Sequence, residues 1–189
     1  MATRPIKGTR PRDADPVRDA ALAAELGASA KDRAENLMIV DLMRNDLSRV
    51  CAPGSVRVPE LFAREQYATV HHLVSTVIGT LNPGADALDL LRAAFPPGSI
   101  TGAPKHQAMK VIAGHEPPRG PWCGSLFHIQ DDGRMTASVL IRTASFQRIE
   151  GRWRFRVLAG AGIVADSDPQ AELEETDAKV RALREALTG

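Results

Sequence analysis

Aromatic side chains are scarce in this sequence, and neither sign of charge is in excess. Aromatic residues make up 4% of the 189 positions, and lysine plus arginine total 24 against 23 aspartate plus glutamate. The resulting net charge of +1 gives no global field that would attract a polyanion. Four of the first twelve residues are basic, but no aromatic residue lies between them for base stacking. Nucleic acid is therefore not an expected partner.

Cysteine is also scarce, and long apolar runs are absent from the sequence. Cys51 and Cys123 lie far apart without CxxC spacing, which argues against a zinc ribbon and against a disulfide scaffold. We expect both to be reduced, buried thiols. No apolar run approaches the roughly 20 residues that a membrane span requires, and the N-terminus lacks the apolar core of a secretory signal. A cytoplasmic protein without a membrane segment is expected.

The residue patterns predict an α+β fold in which an antiparallel sheet is layered with helices. With 43% hydrophobic residues, the chain is long enough to bury one sizeable core. Asp15 and Pro16 are typical of a helix start, Gly27 is placed to end that helix, and Ser29 can cap the next. The predicted helices cover 15–27, 29–50, 86–95 and 168–187, with a loop and helix in 99–112, two strands within 55–81, and an antiparallel meander over 122–164.

Two pairs of carboxylates are spaced to lie on one face of a helix. Asp32 and Glu35 are three residues apart in one predicted helix, and Glu172 and Glu175 are three apart in another. If these helices met, four oxygen-donor side chains would converge, a donor set that suits Mg²⁺. The alternative is structural, because Asp32 can complete a capping box with Ser29 and acids in a first turn complement the helix dipole.

Lys7 and a glycine-rich stretch are further candidates for chemistry. A lysine whose amine is neutral can attack carbon, although most lysines are solvated bystanders. The backbone amides near Gly160 and Gly162 could approach a carboxylate, and Arg142 could bind one bidentately. Glycines near a strand end more often form a bulge or a turn.

Histidine and threonine candidates are weaker on sequence grounds. His71 and His72 are adjacent in a predicted strand, so that one faces each way and at most one points at a given pocket. A satisfied structural histidine is the ordinary alternative for each. Thr101, at the entrance to a predicted helix, could be only a cap.

Several segments occur together in the order found in one enzyme family. They are TRPIKGTRPR (3–12), DRAENLMIVDLMRNDLSRV (32–50), VHHLVSTV (70–77), AAFPPGSITGAPKHQAM (93–109), WCGSL (122–126), IRTA (141–144) and AGAGIVADSDPQAELEET (159–176). In these segments the chain resembles the chorismate-binding enzymes, a family that includes anthranilate synthase component I, aminodeoxychorismate synthase component I and the isochorismate synthases. The resemblance implies a partial domain of the anthranilate synthase component I type.

The resemblance also implies roles for individual residues. Glu35 and Glu175 match the family's Mg²⁺ ligands, with Asp32 and Glu172 acting through water, and the metal holds the ring carboxylate of chorismate. The positions that match contacts to substrate are His72, Thr101, Trp122, Arg142, Gly160, Ala161 and Gly162. Trp122 stands where anthranilate synthases have tyrosine.

Lys7 distinguishes the branches of the family. Anthranilate synthases carry alanine in the corresponding PIAGT motif, whereas aminodeoxychorismate synthases resemble this chain in having PIKGT. For that branch the resemblance implies that the lysine amine adds to C2 of chorismate and that ammonia enters at C4. It also implies a partner glutamine amidotransferase subunit as the source of ammonia. Anthranilate synthase and isochorismate synthase are the rival activities.

The chain departs from the family in length. The family's synthase chains are more than twice as long, and the residues here correspond to a C-terminal portion, 1–189, of the family domain. The upstream half carries a glutamate thought to protonate the departing hydroxyl, and loss of a general acid typically costs about 10²- to 10⁴-fold in rate. We therefore expect a truncated product, a wrongly assigned start, or one piece of a split enzyme whose other half is a separate chain. A catalytically silent binding module is the alternative of another class.

Overall fold

A computed structural model describes residues 1–163 and 167–188 of the chain. The chain divides into two compact units, Met1–Ser99 and Ile100–Gly189. Both units contain helices and antiparallel strands in separate runs, so the predicted α+β class is confirmed. None of the described helices is long and apolar enough to cross a bilayer.

Unit 1 is an antiparallel sheet with two helices packed on one face. Its elements are β1 (Ala2–Thr3), β2 (Ile6–Pro11), α1 (Pro16–Ala28), α2 (Ala30–Ser48), β3 (Arg57–Gln66), β4 (Val70–Ile78) and α3 (Ala87–Ala94). Strand β4 is central: β1 and β2 pair with one of its edges and β3 pairs with the other. A central strand should be the most apolar, and β4 reads VHHLVSTVI accordingly.

The core of unit 1 lies between this sheet and the helices. Its buried apolar side chains are Leu26, Ile39, Val40, Leu47, Val50, Cys51, Leu73 and Val77. Val74, on the opposite face of β4, is buried as well. Asn36 of α2 is fully buried among the core residues, donating to the Leu73 carbonyl at 3.0 Å and accepting from the Ser75 hydroxyl at 2.6 Å. These bonds satisfy the polar groups that burial would otherwise penalise, and they fix α2 on the sheet.

The helix boundaries follow local capping, with one exception. Asp15 caps α1 by accepting the Val17 N–H, and Ser29 caps α2 by accepting the Asp32 N–H. The prediction that Gly27 ends α1 is wrong, because the helix continues to Ala28. A Cβ on Gly27 would lie 3.0 Å from Cδ of the Arg64 side chain, so the glycine allows close packing instead.

Unit 2 contains two separate hairpins instead of the predicted meander. Helix α4 (Gly98–Thr101) spans the division, and unit 2 continues with α5 (Lys105–His115), β5 (Ser125–Ile129), β6 (Met135–Val139), β7 (Ala144–Ile149), β8 (Arg152–Val157) and α6 (Pro169–Thr188). Strand β5 pairs with β6 and β7 pairs with β8. Between the hairpins, the Ile141 N–H bonds to the Val139 carbonyl and Arg142 takes a φ of 51°, which turns the chain out of the β6 direction. Cys123, predicted to be buried, is only half-buried.

Candidate active site

Strand β2 brings Lys7 to helix α2 because of the glycine that follows it. The β2–β4 register shifts between Ile6 and Thr9, which marks a bulge, and Gly8 within it has a φ of 94°. A Cβ on Gly8 would lie 2.9 Å from Cδ1 of Leu26 and 3.0 Å from Cβ of Asp32. Only glycine takes this conformation without strain and without colliding with both helices.

The Lys7 amine lies against the first predicted carboxylate pair. Its Nζ is 3.0 Å from Oε2 of Glu35, and the two side chains are 41% and 35% exposed. Lys31, one turn before Glu35, lies 4.0 Å from the other carboxylate oxygen and is 84% exposed. Lys7 and Glu35 are 28 residues apart in sequence, so only the packing of β2 on α2 makes them neighbours.

Asp32 is held by an arginine. Its Oδ2 accepts from Nη2 of Arg10 at 3.2 Å, and Arg10 Nε also donates to Glu25 at 2.9 Å. The hydrogen bond with Glu25, reinforced by the charge of Asp32, raises the pKa of Arg10 above its ordinary value. Of the two bonds of a capping box, only the one from the Asp32 N–H to the Ser29 hydroxyl is present. The predicted return bond from the Ser29 N–H to the Asp32 carboxylate is wrong, because that N–H bonds to carbonyls of α1.

The adjacent histidines point to opposite faces of the sheet, as strand alternation predicts. His71 is buried toward the helices, with Nε2 2.8 Å from Oδ1 of Asp19 in α1. His72 lies on the other face, where its Nδ1 is 2.9 Å from Oγ1 of Thr9, its cross-strand partner. The Tyr67 ring meets the imidazole edge-on at a centroid distance of 5.4 Å.

Thr9 is a site residue that sequence reasoning missed. A partner on Nδ1 fixes which ring nitrogen of His72 is left for another group. The pairing follows from the bulged β2–β4 register, which the sequence pattern does not reveal. Unit 1 therefore places Lys7 with Glu35 on the helix side of the sheet, whereas His72 lies on the opposite face.

In unit 2, two sequence-predicted residues contact a lysine that was not predicted, and a third packs on one of them. Lys179 Nζ lies 2.6 Å from Oε1 of Glu175 and 3.1 Å from the Gly160 carbonyl oxygen. A Cβ on Gly160 would lie 3.4 Å from the Trp122 ring, so the indole packs directly on this backbone. The Arg119 guanidinium lies 4.9 Å from the centroid of the same ring. Lys179 is four residues after Glu175, and this helical spacing is the signal that could have found it.

Arg142 and Thr101 occupy turns of the backbone. The positive φ of Arg142 is strained for a residue with a side chain, and its exposed guanidinium has no ion-pair partner among the residues that the structure describes. Thr101 is the last residue of α4, and Pro104 occupies the N-cap position of α5. The alternative of Thr101 as the cap of α5 is therefore wrong.

The remaining predicted residues are Glu172, in the first turn of α6, and Ala161 and Gly162, which precede that helix in the sequence. Glu172 accepts from the Ser167 hydroxyl at 2.7 Å, and Asp168 accepts the Ala171 N–H in the first turn. Ala161 and Gly162 lie in the irregular segment after β8. Residues 164–166 of the motif 159–176 lie outside the described residues.

The carboxylates of each unit are donors of the kind that a hard divalent cation prefers. Within the described part of either unit, His, Cys, Asp and Glu form no group of three that could hold a metal ion. Each unit contributes a helix-borne pair of carboxylates, the oxygen-only donors that Mg²⁺ prefers. Glu35 and Glu175 each already hold one ammonium group, from Lys7 and Lys179, so both carboxylates accept a cation.

Comparison with known proteins places these residues in a family. The model of the chorismate binding enzyme family matches residues 1–185. This chain belongs to the chorismate-binding enzymes. Within the family, it is 55% identical over 190 residues to an aminodeoxychorismate synthase component 1 of Klebsiella aerogenes, an alignment that covers 99% of this chain and 41% of the relative.

Another relative and a solved structure are named as anthranilate synthases instead of aminodeoxychorismate synthases. An anthranilate synthase component 1 of Saccharolobus solfataricus is 49% identical, with 99% of this chain and 44% of the relative covered. The crystal structure of anthranilate synthase component I from Streptococcus pneumoniae matches with a TM-score of 0.78 and 37% identity, covering 94% of this chain and 38% of that one. This chain thus spans about two-fifths of the length of the curated relatives it matches.

Proposed function

We propose that this chain is the lysine-bearing portion of an aminodeoxychorismate synthase component I, which aminates chorismate to 4-amino-4-deoxychorismate. The observation that carries the proposal is the 3.0 Å contact between the Lys7 amine and Glu35, one of the family-matched carboxylates. The lysine-containing IKGT motif and the 55% identity to a relative of that name support the same branch.

In the proposed reaction, Lys7 is the nucleophile. Its amine forms a bond to C2 of chorismate while the ring double bonds shift and the C4 hydroxyl leaves as water after protonation. Ammonia then forms a bond to C4, the double bonds shift back, and the C2–nitrogen bond to Lys7 breaks. The lysine is thereby regenerated, and the net change is replacement of the hydroxyl by an amino group.

Other residues hold the substrate in this proposal. Arg142 binds a carboxylate through its planar fork, and the backbone from Gly160 to Gly162 approaches a second one closely. Trp122, packed on Gly160, lies beside the same backbone, and Thr101 contacts the substrate. His72 lies on the sheet face opposite Lys7, where it bonds with Thr9, and we assign it no contact with the molecule that Lys7 attacks. Glu35 and Glu175 would hold Mg²⁺, with Asp32 and Glu172 in supporting positions, and the cation would supply positive charge for the ring carboxylate.

The proposed partners follow from the same assignment. The name component 1 in the relatives implies a second component, and we assign this chain a glutamine amidotransferase subunit that delivers ammonia. In this proposal the remainder of the family domain supplies the other catalytic groups, including the acid for the C4 hydroxyl.

The test is product formation by the purified chain, with and without the complementary N-terminal portion of the Klebsiella aerogenes relative produced separately. Chorismate, Mg²⁺ and ammonium chloride are supplied, and liquid chromatography with mass spectrometry detects aminodeoxychorismate. Lys7→Ala should abolish the product and any covalent lysyl adduct, whereas the matched control Lys31→Ala should retain both. An equal yield from Lys7→Ala would remove Lys7 from the reaction.

Anthranilate synthase is the second candidate, favoured by the 49% identity to the Saccharolobus solfataricus relative. Anthranilate is fluorescent, so the same incubation distinguishes the two activities. Anthranilate that forms equally with Lys7→Ala would favour the second candidate. If the chain, mixed with the N-terminal portion of the relative, binds chorismate but forms neither product, the catalytically silent binding module is favoured.

A further inference from the structure

The two carboxylates of the first acid pair are neutralised in different ways. In the described part of the chain, Lys7 Nζ hydrogen-bonds with Glu35 alone, through one contact of 3.0 Å between half-exposed side chains. Arg10, by contrast, bonds with Asp32, with Glu25 and with a backbone carbonyl, and its side chain is mostly covered. A planar guanidinium that bonds with several fixed acceptors is hard to displace from its carboxylate. A single ammonium on a flexible side chain is displaced more readily by another cation.

A divalent cation and the Lys7 ammonium are too close to share Glu35. A cation bound to this carboxylate would lie close to an ammonium that kept its present 3.0 Å contact. The two positive charges repel each other at such short range, and they do so more strongly beside protein than in bulk water. Lys31 reaches Glu35 only at 4.0 Å from a solvated position, so it can remain near the carboxylate at little cost.

We infer that the Lys7 ammonium and a divalent cation are alternative occupants of the Glu35 carboxylate, so that cation binding releases the Lys7 side chain from its ion pair. The inference rests on the proposed function, in which Glu35 is a metal ligand and Lys7 the nucleophile. Lys7 then has a second role, since it lowers the affinity for Mg²⁺ until the metal displaces it. The nucleophile is thereby held on Glu35 while the metal is absent.

Isothermal titration of the full chain with MgCl₂ tests the competition without any turnover. Lys7→Met removes the competing ammonium and should tighten Mg²⁺ binding about threefold, the order expected for loss of one partly exposed ion pair. Lys7→Arg should weaken binding, because its fork holds a carboxylate more firmly. Lys31→Met removes the same charge from the same carboxylate's surroundings and is the matched control. Circular dichroism establishes that each variant is folded.

Two results would overturn the inference. One is an Mg²⁺ affinity of Lys7→Met equal to that of the wild type, and the other is an equal gain in Lys31→Met, which would indicate a general charge effect. Glu35→Gln separates this inference from the proposed function. If Glu35→Gln weakens Mg²⁺ binding but Lys7→Met leaves it unchanged, only the competition is lost. If Glu35→Gln binds Mg²⁺ like the wild type, the metal assignment falls, and the inference falls with it.

Discussion

The two units of the chain differ most in what they bury. Unit 1 closes a four-stranded sheet with helices α1 and α2 over an apolar core, and Leu26, Leu73 and Val77 are fully buried. In unit 2, none of the described residues is buried, and its strands pair only two by two. A single two-stranded hairpin is marginally stable in water, because it offers no second layer to cover its apolar face.

This difference suggests that the residues that stabilise the fold and most of the predicted substrate-binding residues lie in different units. Unit 2 leaves Leu126, Phe146 and Trp153 exposed on its hairpins, yet it carries the predicted substrate-binding positions from Trp122 to Gly162. Unit 1 carries the nucleophile candidate on a well-packed scaffold. We therefore expect the folding stability of the chain to depend on unit 1, whereas substitutions in unit 2 should affect binding more than stability.

The largest expected effect is a cavity in the core of unit 1. Leu73→Ala empties a fully buried site and should lower the free energy of unfolding by about 3 kcal/mol. Phe155→Ala in β8, where the side chain is 43% exposed, should cost about 1 kcal/mol because less apolar surface returns to water. Urea denaturation followed by circular dichroism measures both. Equal losses of unfolding free energy from the two substitutions would contradict the comparison. Unit 2 would then contain a core that stabilises the chain as much as the core of unit 1.

A buried polar bond should give the next largest effect. Asn36→Ala leaves the Ser75 hydroxyl and the Leu73 carbonyl without their buried partner, and should destabilise the chain by about 2 kcal/mol. Asn45→Ala, on the exposed side of the same helix, is the control and should change stability by less than about 0.5 kcal/mol. Similar losses from both variants would indicate that helix propensity, and not the buried bond, determines the result.

The attachment of α1 to the sheet should be sensitive to acid. Hydrogen bonds from Arg12, from the Asp13 N–H and from His71 hold the pKa of Asp19 well below its ordinary value of 3.8. Because this pKa is depressed in the folded state, the stabilisation is fully present above pH 3.8 and is lost as the pH falls below it. Asp19→Asn should therefore be less stable than wild type at neutral pH, and the difference should shrink in acid. A difference in urea midpoint that stays constant from pH 7 to pH 3 would contradict this assignment.

The smallest expected effect concerns the packing of Trp122 in unit 2. Arg119 stacks on the indole and is held by two bonds to Glu116, whose pKa those bonds lower. Arg119→Gln should cost under about 1 kcal/mol but shift Trp122 emission to longer wavelength as water reaches the ring. The measurement uses a Trp153→Phe background, because Trp153 is exposed and would dominate the signal. A large loss of global stability would show that unit 2 contributes more than its burial suggests.

Sequence reasoning recovered the local elements well and the long-range contacts poorly. The helix starts at Asp15, Ser29 and Asp86, and the strand pair β3–β4, follow from patterns within a few residues. The meander in unit 2 was wrong because adjacency in sequence does not guarantee pairing when a strained turn at Arg142 redirects the chain. Thr9 was overlooked because its partner is 63 residues away.

By itself, the sequence determined the α+β class, the helix caps and the motifs that mark the family, because capping and strand alternation act between near neighbours. The tertiary structure decided which charges meet. Lys7 reaches Glu35 only because a glycine bulge lets β2 approach α2, and Lys179 links Glu175 to the Gly160 carbonyl only because α6 packs near the end of β8. Such contacts depend on the packing of whole elements, which no local pattern encodes.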